Sequence, residues 1–434
     1  MTASWWSSTE AVAVPAGRVA RGRLAVPSSK SLTHRALTLA LLAQDEVAIE
    51  RPLAAEDTQL FAAALARLGH GVERGAGSWR ITPPTARPAR ATLDCGNAGT
   101  FLRFALAALT TLPGRFVLDG VARLRERPVG ALVAALRALG ARVRCLGREG
   151  FAPLEIEGAT LAAGRVRLDA SESSQFLSAL LFAGQRAAGP IEIELGGLVS
   201  APYVELTREL LLGHGGAVER RGPDLWVTRP ARLVGGRIEI EADLSAAAYP
   251  AAAAALTGGR VELPGVRLDS RQGDRRLLEL LAAMGARVAA SREGTVAEGG
   301  GLAAIEVDAA DIPDQVPTLA ALAPFARGTT RITGAAHLRI KESDRLAAMA
   351  AELARIGARV EQLADGLVVP GVWADAAPPA TPVVVEPHGD HRIAMAMALA
   401  ALRRPGISIL HPAVVEKSYP EFWRDLARLL GEAA

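Results

Sequence analysis

The sequence predicts an α/β protein of two globular domains, each built from three βαβαββ units, six pseudo-repeats in all. Three observations lead there. First, a signature of apolar-periodic helix, Gly-x-x-Val and short strand recurs at Leu68-Gly69-His70-Gly71-Val72, Leu139-Gly140-Ala141-Arg142-Val143, Gly215-Gly216-Ala217-Val218, Met284-Gly285-Ala286-Arg287-Val288 and Ile356-Gly357-Ala358-Arg359-Val360, with a truncated copy at Leu430-Gly431. Second, these glycines follow one another at 71, 75, 70, 72 and 74 residues, a near-constant period that marks an internal repeat. Third, 434 residues is the length of two domains with sizeable cores, so the units divide three and three, with the break near Glu241 to Asp243.

Within each unit the glycine is predicted to cap a helix in the left-handed conformation, and the valine to begin a returning strand. A second helical pattern precedes the capped one. The pairs begin near Lys30 and Glu56, Asn97 and Arg127, Ser174 and Pro202, Leu244 and Asp274, Asp314 and Lys341, and His391 and Tyr419. Short strands such as Val117-Leu118-Asp119, Ile191 to Leu195 and Ile238 to Glu241 lie between them. Parallel helices would gather their N-termini, with unpaired N–H groups and macrodipoles, on one face. Two such faces opposed across a hinge predict an anion-binding cleft.

Composition narrows the class. The formal net charge is +3 and aromatic residues make up 4%, with no basic run and little aromatic interleaving, which argues against nucleic acid as a partner. Two cysteines, Cys95 and Cys145, are too few for a disulfide framework and fit a reducing cytosol. The start Met1 to Trp6 lacks a basic region followed by an apolar core, so no secretory signal is expected. The longest uncharged run, Leu244 to Gly259, contains Pro250 and falls short of a membrane span. The expectation is a soluble cytoplasmic protein.

Of 49 lysines and arginines only three are lysine: Lys30, Lys341 and Lys417. A chain that uses arginine for generic charge should keep lysine where a compact ammonium is needed. All three stand in polar clusters ahead of helical patterns. Ile340-Lys341-Glu342-Ser343-Asp344-Arg345 is read as the first turn of a helix running on through Leu346 to Ile356.

The other clusters follow in order. Ser29-Lys30-Ser31, with Arg35, offers two cations and a hydroxyl. Cys95-Gly96-Asn97-Ala98-Gly99-Thr100 and Arg103 form a small-residue turn into a helix, where backbone can approach an anion closely. Glu126-Arg127-Pro128 reads as a helix opening with proline near its first position. Ser171 to Gln175 and, on a smaller scale, Ser200-Ala201-Pro202-Tyr203 hold more hydroxyls than caps require, which suggests a phosphate cradle. Asp314 is either a helix cap or, among so many cations, a base. His388-Gly389-Asp390-His391-Arg392 lacks metal-ligand spacing, so no metal is expected. The sum is a site for polyanionic small substrates that works by electrostatic clamping and proton transfer, with Asp314 and Glu342 as acid and base.

With these motifs quoted, the chain resembles the 5-enolpyruvylshikimate-3-phosphate (EPSP) synthase family, from about Pro27 to Lys417. Ser29-Lys30-Ser31…Arg35, Gly96 to Thr100…Arg103, Glu126-Arg127-Pro128, Ser173-Ser174-Gln175, Pro313-Asp314, Lys341 to Arg345, Asp390-His391-Arg392 and Lys417 match in the family's order. The resemblance implies an inside-out α/β barrel in each of two domains joined by a double-stranded hinge. Residues 28–241 would form the shikimate 3-phosphate-side domain, and 1–27 plus 242–434 the second. It implies shikimate 3-phosphate contacts from Lys30, Ser31, Arg35, Ser173, Ser174, Gln175, Ser200, Asp314, His337 and Lys341. Phosphoenolpyruvate contacts would come from Lys30, Gly99, Arg127, Gln175, Arg345, Arg392 and Lys417. Catalysis would fall to Asp314, Glu342 and Lys30, with no cofactor and no metal, in a monomer. Two positions depart from the family pattern: His337 stands where many members carry Asn, and Phe104 where many carry Pro. Gly99 leaves room for glyphosate, so sensitivity is expected.

Two alternatives make different predictions. A UDP-N-acetylglucosamine enolpyruvyl transferase would need a cysteine where Val121-Ala122-Arg123-Leu124 stands; Cys95, at a helix start where a thiol pKa can fall, lies far upstream. A non-catalytic RNA-binding protein on related repeats would bind nucleic acid in a salt-dependent way.

Overall fold

The six repeat glycines govern the architecture. In the computed structural model, which describes residues 5–432, Gly69, Gly140, Gly215, Gly285, Gly357 and Gly431 all have positive φ, from 80° to 109°. Each ends a helix and turns the chain into the next segment, as the sequence predicted. The first four residues, part of the N-terminal stretch read for a signal, lie outside the described residues.

The chain divides into two units, Ser28–Glu241 and a second made of the described residues up to Pro27 with those from Ala242 onward. In the first unit, α1 (Lys30–Leu42) and α2 (Glu56–Arg67) belong to repeat one. Repeat two has α3 (Gly99–Leu109), the short α4 (Ala122–Arg125) and α5 (Gly130–Ala138); repeat three has α6 (Gln175–Gly184) and α7 (Ala201–Gly213). Repeat two shows the plan most simply. Strands Arg90–Asp94 and Arg115–Asp119 pair in parallel across α3, and the hairpin Arg142–Cys145 with Leu154–Glu157 adds two antiparallel strands. The first repeat receives its missing strand from the end of the unit, where Gly236–Glu239 runs parallel to Val47–Glu50.

The second unit repeats the plan with α8 (Leu244–Thr257), α9 (Arg276–Ala283), α10 (Val316–Leu322), α11 (Arg345–Arg355), α12 (His391–Arg403) and α13 (Phe422–Leu429). Strand Arg21–Arg23 completes the α8–α9 repeat by pairing in parallel with Arg260–Pro264. Strand Ala11–Ala13 completes the last repeat, antiparallel to Ile407–Leu410. The sheets remain separate and small, five of four strands and one of three.

One helix per repeat lies inside. In α1, α3 and α6, and in α8, α10 and α12, most residues are buried around the whole circumference. A helix without a polar face belongs in a core, and these pack on one another while the sheets face outward. Alanine fills much of α8, which lets its neighbours approach closely. By contrast α2, α9 and α11 bury one stripe only. Much of the arginine excess sits on the sheets in cross-strand ion pairs, such as Arg144–Glu155 at 2.9 Å and Arg287–Glu298 at 3.3 Å. No helix among the described residues is long and apolar enough to cross a membrane.

Two local expectations need correction. The helix after Ile340 begins at Arg345, not Lys341: Asp344 caps it by accepting from the Ala347 N–H, and Lys341 to Ser343 form the bend before it. The helix after Arg127 begins at Gly130, because Val129 takes the cap position and leaves Pro128 outside. Cys95 is not an activated thiol; burial and the neighbouring Asp94 and Asp119 push it well above the ordinary thiol value.

Candidate active site

In the unit Ser28–Glu241 the expected residues gather at helix starts. Ser29 caps α1, its hydroxyl accepting from the Leu32 N–H at 3.4 Å. Lys30 follows and donates to Asp57 of α2 at 3.2 Å. One turn on, Arg35 is buried with its nitrogens distributed among four acceptors, one of them the Ser31 carbonyl at 3.0 Å. It donates to the Ser31 hydroxyl (2.5 Å), the Tyr203 carbonyl (2.6 Å) and the Thr207 hydroxyl (2.8 Å). Its guanidinium also lies 5.5 Å from the centre of the Phe104 ring. Arg35 therefore fixes the Ser31 hydroxyl and joins α1 to α7, and Phe104 is the apolar floor beneath it.

The start of α3 has no side-chain cap, since Ala98 occupies the cap position. Arg127 lies over it and donates to the Asn97 carbonyl at 3.1 Å. The fit against Gly99 is close: a Cβ there would fall 2.7 Å from the Arg127 Cζ. Gln175, at the start of α6, has both ends of its amide fixed. Its oxygen accepts from Arg103 at 2.8 Å and its nitrogen donates to Thr100 at 2.9 Å. Arg103, beside the small-residue turn, thereby orients Gln175. Ser173 and Ser174 precede it, and Ser200 stands before α7 with φ of 52°. Neither Ser174 nor Ser200 uses its side chain to cap its helix, while the Ser173 hydroxyl accepts from the Gln175 N–H at 3.3 Å.

In the second unit an ion cluster forms around Asp314. Arg345 donates to one Asp314 oxygen at 2.7 Å and Arg392 to the other at 2.6 Å. Arg345 also reaches Glu342 at 2.8 Å and Asp390 at 2.7 Å. Asp314 caps nothing; it belongs to a one-turn helix, Pro313–Gln315, ahead of α10. Its side chain keeps 28% of its surface open, while those of Arg345 and Arg392 keep 2% and 7%. Burial alone would raise the Asp314 carboxyl. Arg392, Arg345 and Lys341 more than offset that and hold it well below the usual carboxylate range. Asp390 caps α12 by accepting from the Arg392 N–H, and also accepts from the Ser343 hydroxyl at 3.1 Å.

His337 is buried in the turn Ala336–Ile340 just before Lys341. Burial, then Lys341, pulls its pKa down to about 3, so the ring is neutral and keeps one donor and one acceptor nitrogen. Its Nε2 meets no partner among the described residues. Lys417 ends the turn Pro412–Lys417 and is buried. None of the three lysines lies in the exposed class, in keeping with the lysine–arginine asymmetry. No group of three or more His, Cys, Asp or Glu among the described residues is placed to hold a metal.

Sequence reasoning missed several supporting residues. Asp57 pairs with Lys30, but nothing in Glu56-Asp57 distinguishes it from an ordinary acidic helix start. Asp390 stood inside a quoted motif, and its cap position was the available signal. Thr207, which holds Arg35 together with the Tyr203 carbonyl, lies one turn beyond the Ser200 to Tyr203 cluster and carried no signal.

These features define a class: a repeat-built α/β protein with a polyanion-type site, whose helix starts carry arginines, lysines and carboxylates. The family model for EPSP synthase (3-phosphoshikimate 1-carboxyvinyltransferase) matches residues 15–426, and the chain belongs to that family. It is 45% identical over 415 residues to the 3-phosphoshikimate 1-carboxyvinyltransferase of Syntrophobacter fumaroxidans, covering 94% of this chain and 97% of the relative. It is 43% identical over 408 residues to that of Methanoculleus marisnigri, covering 92% and 94%. The structure of the EPSP synthase from Acinetobacter baumannii superposes with a TM-score of 0.78 at 28% identity, over 97% of this chain and 98% of that one.

Proposed function

We propose that the chain transfers the enolpyruvyl group of phosphoenolpyruvate to the 5-hydroxyl of shikimate 3-phosphate. The products are phosphate and 5-enolpyruvylshikimate 3-phosphate. Family membership supports the reaction. The observation that carries the site is Asp314 held between Arg345 and Arg392, a carboxylate seated where an anionic substrate would be bound.

In residues 28–241, Lys30, Ser31, Ser173, Ser174, Gln175 and Ser200 contact shikimate 3-phosphate, with Arg35 acting through Ser31. Asp314, His337 and Lys341 serve the same substrate; the neutral ring of His337 supplies the hydrogen bond an amide would give. Phosphoenolpyruvate takes Lys30, Gly99, Arg127, Gln175, Arg345, Arg392 and Lys417.

The chemistry assigns the rest. The substrate hydroxyl gives its proton to a carboxylate and adds to C2 of phosphoenolpyruvate as C3 gains a proton from an acid. The tetrahedral intermediate then loses a methyl proton and phosphate departs. Asp314 and Glu342 carry these protons, with Lys30 assisting. Once the phosphoenolpyruvate anion occupies Arg345 and Arg392, Asp314 feels less positive charge and becomes a stronger base. The same arginines stabilise the departing phosphate. The reading includes a cytoplasmic monomer that needs no cofactor and binds no nucleic acid.

The test is phosphate release from phosphoenolpyruvate, with and without shikimate 3-phosphate. Release that requires shikimate 3-phosphate is expected. Release with UDP-N-acetylglucosamine instead would overturn the assignment.

A further inference from the structure

One buried carboxylate near this cluster has no place in the mechanism above. Asp274 sits in the short turn Gly273–Arg275 and is 1% exposed. Its Oδ2 accepts from the Gln315 side-chain amide at 2.8 Å and from the Ser245 hydroxyl. Its Oδ1 is buried and meets no hydrogen-bond partner among the described residues. Gln315 is the residue after Asp314 in the same one-turn helix and is itself fully buried. Next to Asp274, Gln272 accepts from the Leu244 N–H at 3.2 Å and donates to the Ala242 carbonyl at 2.8 Å. The segment Gln272-Gly273-Asp274 thus joins the start of α8 to the turn that presents Asp314.

A carboxylate is a poor choice for packing alone. A charge with one oxygen unsatisfied is costly to bury, and a neutral amide would fill the same space with two donors already provided. What the charge does is set by its neighbours. Asp274 and Asp314 both act on Arg392, from different elements, and repel each other. Burial, then Asp314, pushes the Asp274 pKa up to about 6, so at neutral pH the proton is mostly off and the charge is present.

We propose that Asp274 is a positioning residue of this site: its grip on Gln315 fixes the turn that presents Asp314, and its negative charge offsets part of the Arg392 charge that Asp314 faces. The inference rests on the assignment of Asp314 and Arg392 above. Without Asp274, Arg392 would act on Asp314 alone. Asp314 would become a weaker base while the site became more positive towards an anionic substrate.

The experiment is Asp274→Asn in the full chain, with kcat and KM measured separately by phosphate release and unfolding followed at neutral pH. The expected result is a fall in kcat of about tenfold or more, with KM for phosphoenolpyruvate unchanged or lower and a melting temperature no lower than wild type. A kcat within about twofold of wild type overturns the proposal. So does a loss of kcat accompanied by higher KM for both substrates and a lower melting temperature, since that is the pattern of general disorder. If the Asn variant does not fold, Ser245→Ala removes one of the two donors to Asp274. A kcat lowered about threefold or more supports the proposal, and an unchanged one overturns it. Wild-type protein without shikimate 3-phosphate-dependent release would overturn the functional assignment itself. Active wild type, an inactive Asp314→Asn and an unaltered Asp274→Asn would overturn this inference alone.

Discussion

Arg392 donates to Asp314 across 2.6 Å, so a cation assigned to substrate and a carboxylate assigned to proton transfer are joined in one ion pair. Arg345 holds the other oxygen, and both arginine side chains are buried. Asp314→Asn should therefore harm both stability and turnover. Leaving two buried guanidinium groups short of charge costs about 3 kcal/mol, and loss of the proton carrier should lower kcat by about a hundredfold or more. Denaturant unfolding and phosphate release measure the two effects separately.

Gly99 and Arg127 make the second prediction. A methyl group at Gly99 would fall 2.7 Å from the Arg127 Cζ, and the guanidinium can only move away from the start of α3. Gly99→Ala should keep the fold and raise KM for phosphoenolpyruvate about tenfold. Glyphosate should inhibit the wild type at submillimolar concentration and the variant less well. An unchanged KM would mean that Arg127 does not bind this substrate.

Lys341→Arg tests the lysine asymmetry. Lys341 is half-buried, and its charge acts on Asp314 and His337. The longer planar fork cannot occupy that space without moving its neighbours. We expect kcat to fall about tenfold or more with little change in melting temperature. Full activity would make the three-lysine pattern a matter of composition.

The protein should lose stability in mild acid through its buried histidines. His34 is buried and its Nδ1 donates to the Lys30 carbonyl at 2.9 Å. Burial holds its pKa at about 4, against 6.5 for the free side chain, and His337 lies at about 3. The unfolded chain takes up these protons below about pH 6.5 while the folded protein does not, so unfolding is favoured as pH falls and stability is intact above that range. Each contributes on the order of 2 kcal/mol by about pH 5. Asp274 acts in the opposite sense: its pKa is raised from 3.8 to about 6, so acidification across that window adds stability. Melting temperature against pH should show a shallower acid decline for His34→Gln than for wild type.

Much of this was legible in the sequence because the repeat leaves a backbone trace. A glycine that must adopt positive φ leaves the same residue at the same interval each time, and Gly69 to Gly431 mark the period without any knowledge of contacts. The clusters were legible for a related reason: helix starts carry unpaired N–H groups, and polar residues collect there. Side-chain partners were not legible. Lys30 with Asp57 and Gln315 with Asp274 join residues from different elements, whose meeting depends on packing that spacing does not encode. Local boundaries failed where a cap competed with a run of charges, as at Asp344, whose carboxylate sets the start of α11 four residues beyond Lys341.

The strand Ala11–Ala13 pairs Ala11 with Leu410, near the opposite end of the sequence. The unit Ser28–Glu241, in contrast, draws every strand from one uninterrupted stretch. During synthesis that stretch can finish folding while the last repeat is still inside the ribosome. Strand Ala11–Ala13 must wait, unpaired, until Ile407–Leu410 appears, and so distant a closure is slow. The order of assembly is thereby written into the topology: Ser28–Glu241 can mature first, and the pairing of Ala11 with Leu410 comes late.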